Sequence, residues 1–245
     1  MSDMPYKALS IRTHIITEKD DLLEVVCRYT RGIAEPGDVI ALSESMVAIT
    51  QGRAVLPESV KARRLARLLS CFAHPDGSLA TPAAMELAVR EAGTVRVLAA
   101  AACAALGRLL GYRGLFYRVA GSGLNLIDDI GGTLYPYDRY IVLGPKHSQR
   151  VAEQVKAATG VDALIADVND IHCVDVLGYT GDHDLQELVA ALRTNPQGND
   201  DEQTPIVVLK KVAGEPGDPA GSRRLPAVQT RRLGSGPARR GRSAR

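Results

Sequence analysis

The chemistry-bearing stretch of this chain runs from Val119 to His147, VAGSGLNLIDDIGGTLYPYDRYIVLGPKH. It sets Asp128, Asp129 and Asp138 among Gly121, Gly123, Gly131 and Gly132 and several tyrosines. Glycine lets backbone approach a ligand closely or take positive φ. Adjacent carboxylates in a dry site need a counter-charge, and a divalent cation is one source of it. The same composition also makes two tight turns with solvated carboxylates, so both readings stand for the residues alone. A second acidic position, Asp167, lies near the carboxyl end of an apolar run, ALIADV, read as a buried strand. Ligands collect at such strand ends in sheets flanked by helices.

The elements that must position these residues follow from pattern. Leu9 to Ile16 alternates as a half-buried strand and runs to Thr17, a candidate N-cap for the helix that follows. Glu35 to Asp38 is a turn and Val39 to Leu42 a buried strand. SESMVAITQG, Ser43 to Gly52, opens on capping residues and closes on glycine, as a strand-to-helix junction that presents backbone N–H groups to an anion. Glu58 to Ala73 has helical periodicity with a basic outer face, read as solvated. Thr81-Pro82 opens a helix that runs to Ala92. Val97 to Leu110 is an Ala-rich helix, bracketed by Arg96 and Arg108 and too short to span a bilayer. Leu115 to Ala120 and Tyr140 to Leu143 are expected strands. A helix from His147 or Ser148 carries Val151, Val155 and Ala158 inward and ends at Gly160. A strand at Ile171 to Gly178, a helix at Leu185 to Arg193 and a last strand at Thr204 to Lys211 complete the series. Strands and helices alternate irregularly, which indicates an α+β domain with a mixed sheet and flanking helices.

Bulk properties narrow the function classes. Hydrophobic residues make up 45%, charged residues 24% and aromatics 4% with no Trp, so the core is aliphatic. Cys27, Cys71, Cys103 and Cys173 lack ligand or disulfide spacing, which fits a reducing cytoplasm, and no secretory signal is visible at the start. The net charge of +2 is uneven. Residues 214–245 hold eight Arg against Glu215 and Asp218 and read as a disordered Arg/Pro/Gly-rich tail, while residues 1–213 form a mildly acidic folded domain. Nucleic acid is therefore an unlikely partner except through the tail, and no membrane partner is indicated.

Three blocks, in order, carry a resemblance: GDVIALSESMVAITQGR (Gly37 to Arg53), AGSGLNLIDD (Ala120 to Asp129) and GVDALIADVND (Gly160 to Asp170). Over about Leu9 to Gly181 the chain resembles the gamma-glutamyl ligases of the deazaflavin coenzyme F-420, as a short, divergent member. The resemblance implies an α+β fold that forms an intertwined homodimer. It also implies a ligase that uses GTP and Mg or Mn, activates an acceptor carboxylate as an acyl phosphate, and joins it to glutamate.

Residue by residue, the family's threonine-aspartate-threonine block falls on Ala166, Asp167 and Val168, which makes Asp167 the implied metal ligand. Ser43, Ser45, Gly52, Arg53, Gly121 and Asn125 take implied nucleotide-binding positions. Gly123 stands where the family has a metal aspartate, with Asp128 and Asp129 as candidate replacements. Ile49 stands in place of a lysine and Gln51 in place of a glutamate. These losses keep a second reading open: a non-catalytic relative that binds a nucleotide or phosphorylated metabolite, or acts as a partner protein.

Overall fold

Val39–Ser43 is the strand on which the fold is built, because four of its residues, Val39 to Leu42, are completely buried. Such a run has no wet face, as expected of a strand with neighbours on both edges and helices on both sides. The structure is a computed structural model that describes residues 5–73, 77–112, 115–121, 123–124, 126–127, 135–168, 173–198 and 202–212. The strands are β1 (Tyr6–Ile11), β2 (Val39–Ser43), β3 (Ala54–Val55), β4 (Ile141–Val142), β5 (Asp162–Val168), β6 (Val174–Tyr179) and β7 (Ile206–Lys211). The main sheet has the order β1-β7-β2-β5-β6. Only β2 and β5 are parallel; β1 with β7, β7 with β2, and β5 with β6 are antiparallel. The fold is thus α+β with a mixed five-stranded sheet.

The described helices are α1 (Leu22–Thr30), α2 (Glu44–Thr50), α3 (Arg64–Ser70), α4 (Pro82–Ala92), α5 (Thr94–Leu109), α6 (Leu115–Ala120), α7 (Ser148–Thr159) and α8 (Leu185–Leu192). One face of the sheet packs on α1, α2 and α7 through Val25, Val26, Met46, Val47, Val151 and Val155 against Ile40, Leu42 and Ile165. The other face packs on α8 through Leu188, Ala191 and Leu192. A third cluster lies in a mainly helical lobe inserted between α2 and α7, where the small β3–β4 pair joins α3 to α6 around Met85, Val89, Val97, Ile127 and Ile141.

Local chemistry explains most boundaries. Asp21 caps α1 by accepting from the Glu24 N–H at 2.9 Å. The expected cap, Thr17, instead donates its N–H and hydroxyl to Asp20 in the turn before it. Thr81 caps α4 ahead of Pro82, and Gly160 ends α7 in the left-handed region at φ 75°.

Further expectations change, beginning with the first strand, which spans Tyr6–Ile11 and not Leu9 to Ile16. Leu115 to Ala120 is helix and not strand, because Phe116, Val119 and Ala120 recur at helical spacing and pack into the lobe cluster. The helix expected over Glu58 to Ala73 is confined to α3, preceded by a 3-10 turn at Pro57–Ser59. In α7 it is Ala152 that is buried beside Val151 and Val155, while Ala158 is exposed. Among the described residues no helix is long and apolar enough to cross a membrane.

Candidate functional site

The carboxyl end of the parallel β2–β5 pair brings together the first and third resembling blocks. β2 ends at Ser43, whose Cα partner across the ladder is Ala166, the residue before Asp167. Ser43 is also the N-cap of α2: its Oγ accepts from the Met46 N–H at 3.2 Å and lies 3.4 Å from the Ser45 Oγ. The implied nucleotide-binding serines and the implied metal aspartate therefore share one end of the sheet. In β5, Ala163 and Ile165 pack towards α1, α2 and α7, and Leu164 and Ala166 pack towards α8. Strand alternation then sets Asp167 on the α2 side.

Across the ladder Asp167 is in register with Asp175 of β6. Directly opposed strand residues have Cβ atoms about 5 Å apart, and like charges at that spacing repel. Burial first, and the Asp175 carboxylate second, push the Asp167 carboxyl above its usual range. Among the described residues no cation or hydrogen-bond donor faces Asp167. Two opposed acidic residues suit a hard cation such as Mg or Mn, whose remaining positions would be filled by water and phosphate oxygens. Among the described residues no group of three or more His, Cys, Asp or Glu side chains is placed to hold a metal. The fit is that of a partial donor set.

Other candidates occupy different surroundings. Arg53 has a side chain only 11% exposed; its Nε donates to the Gly144 carbonyl at 2.6 Å and its Nη2 pairs with Glu91 at 2.9 Å. That guanidinium ties the end of α2 to the lobe. Gln51 makes a reciprocal pair with the Lys146 backbone, donating to its carbonyl at 2.9 Å and accepting from its N–H at 2.8 Å. Gly52 closes α2 at φ 67°, and Ile49 is 7% exposed in its inner face. Gly121 takes φ 107° under the Arg96 guanidinium, a conformation that suits glycine. Gly123 is exposed, while Leu124 and Ile127 anchor the same loop in the lobe core. Asn125, Asp128 and Asp129 lie outside the described residues.

Asp175 went unnoticed in the sequence because strand pairing decides its role. The signal available was an acid between two valines in VDVLGY, where a half-buried strand otherwise alternates. Glu86 was also missed; it is buried to 2% in the lobe and holds two arginines.

An α+β domain whose serine-capped helix and acidic strand end share one edge is the arrangement expected of a site for phosphates and a cation. Residues 10–166 match the model of the F420-0:gamma-glutamyl ligase family. The chain belongs to that family, whose activity is gamma-glutamyl ligation with small-molecule substrates. A search of curated proteins found no match. The matched span ends one residue before Asp167, so the acidic strand end rests on the sheet register rather than on the family match.

Proposed function

We propose that this protein is a GTP-dependent ligase that uses Mg or Mn and adds L-glutamate to a carboxylate of a deazaflavin-type or related acceptor. The observation that carries the reading is the opposed pair Asp167 and Asp175 at the end of the sheet where Ser43 caps α2. A divalent cation there would neutralise phosphate charge and polarise the transferred phosphoryl group. The chain's own part is to present carboxylate oxygens to the cation from a rigid strand pair and to offer serine hydroxyls to phosphate oxygens. Asp128 and Asp129 are the proposed further ligands, and Asn125 and Gly121 proposed contacts to nucleotide. The reaction is placed in the cytoplasm.

The test is thermal unfolding with Mn²⁺ and GTP added singly and together. A rise of several degrees that needs both ligands is expected, since ligands that bind the native state stabilise it by mass action. Asp167→Asn should remove the metal-dependent part. No shift with any nucleotide would sink the reading.

A homodimer is part of the proposal, supported by Val95, Leu98, Leu106 and Leu110, which leave the outer side of α5 exposed and apolar. Light scattering of the purified protein should give twice the chain mass.

Ile49, buried where the family has a lysine, and Gly123, with no side chain where it has an aspartate, favour a second reading: binding of a nucleotide or phosphorylated metabolite without ligation. Release of GDP in the presence of acceptor and glutamate separates the two.

A further inference from the structure

Glu86 lies in α4 with a side chain only 2% exposed, yet it carries a carboxylate. A buried charge is tolerated only when it is paired and hydrogen-bonded. The pairing here is unusual in form. Arg63 donates its backbone N–H to Oε2 at 3.1 Å and its Nε–H to Oε1 at 2.9 Å, and Arg90 donates its Nε–H to the same Oε1 at 3.1 Å. Two guanidinium groups thus converge on one oxygen atom and lie side by side, where they would otherwise repel. Burial raises the Glu86 carboxyl, and the contacts from Arg63 and Arg90 outweigh it, so the carboxylate stays ionised.

Both guanidinium groups are held through Nε. Their Nη groups have no partner among the described residues, and the side chains are 54% and 51% exposed. One buried acid orients two arginines whose side chains stay about half exposed. Residues 59–73, which contain Arg63, include Lys61, Arg64 and Arg67 and no acidic residue.

We propose that Arg63 and Arg90, set by Glu86, form a binding site on the helical lobe for an oxyanion bearing two or more charges. Guanidinium forks recognise phosphate and carboxylate oxygens through paired N–H donors, and a fork already held in place loses less side-chain entropy on binding. Phosphoryl and polycarboxylate groups share this chemistry. The site belongs to the helical lobe, whereas Asp167 lies on strand β5 of the main sheet, and it needs no metal.

The experiment is titration calorimetry of the full chain at low salt, without divalent metal, with pyrophosphate and with citrate as probes. Saturable one-to-one binding of either probe is expected, and the tighter of the two identifies the group. The double substitution Arg63→Lys and Arg90→Lys keeps the charge and removes the forks, and should weaken binding at least tenfold. Asp167→Asn should leave it unchanged, which separates this site from the proposed ligase site. Equal affinity in the lysine variant, or no saturation by either probe, overturns the proposal. Should the variant fail to fold, the Nε–Hε resonances of Arg63 and Arg90 in the unsubstituted protein decide: they must shift with the probe, and unmoved resonances overturn the proposal.

Discussion

Asp162 and Asp167 stand on the same strand, β5, at opposite ends of the sheet, and the fold treats them in opposite ways. At the amino end Asp162 accepts from Lys156 Nζ at 2.7 Å, Thr180 Oγ1 at 2.8 Å and His183 Nε2 at 3.0 Å. The Tyr6 hydroxyl meets His183 Nδ1 at 2.9 Å, so the imidazole is engaged on both sides. A carboxylate only accepts, so His183 carries a proton on Nε2. Burial alone would raise the Asp162 carboxyl, but these donors outweigh it and hold it below the usual range. At the carboxyl end Asp167 faces another acid and is shifted upwards. One aspartate is completed by the chain and serves the fold. The other faces a second acid and is given no hydrogen-bond donor among the described residues.

The contrast breaks if the two positions respond alike to substitution. Asp162→Ala leaves Thr180, His183 and Lys156 without their acceptor and should destabilise by about 2 kcal/mol in urea unfolding, a figure discounted because Lys156 is half exposed. Ser43→Ala removes the cap of α2 and should cost about 1 kcal/mol by the same measurement. Asp167→Asn should instead stabilise the metal-free protein, by roughly 0.5 kcal/mol, because it removes a cross-strand repulsion. A loss of stability there would mean that Asp167 is paired within the fold and is not a cation ligand.

The pH dependence sharpens the same point. A carboxyl raised on folding is proton-bound more tightly in the native state. The unsubstituted protein should therefore lose stability relative to Asp167→Asn as pH climbs through and above about 4. A lowered carboxyl works the other way. The advantage over Asp162→Asn should be full above about pH 4 and fade as pH falls through the folded value. Parallel slopes for the two variants would contradict the contrast.

What the sequence revealed was what local chemistry dictates. Ser43, Thr81 with Pro82, and Gly160 are capping residues whose role depends on neighbours a few positions away, and each ends a helix where expected. Leu115 to Ala120 misled because a six-residue apolar run has no decisive period. Neighbours from α5 settle it as helix: Leu115 packs on Gly107, where even a Cβ would collide with its side chain. Arg53 reads as an anion-binding residue until its partners Glu91 and Gly144, far along the chain, are in place. The role of Asp175 depends on strand register, and that of Glu86 on Arg63, 23 residues earlier; only the Arg90 partner, one turn along the same helix, was legible locally.

The strand order also governs when the sheet can form. β7 sits between β1 and β2, with Tyr6 opposite Lys211 and Val39 opposite Leu209. The first two strands to leave the ribosome therefore lack a shared neighbour until nearly all of the folded region has been synthesised. Until then β2, wholly apolar from Val39 to Leu42, waits with an open edge. Pairings this distant in sequence slow folding, because the entropy of closing the intervening chain comes before any ladder contact is gained. Nascent chains halted before Ile206 should be retained by chaperones and cleaved by protease, and release should follow extension past Lys211.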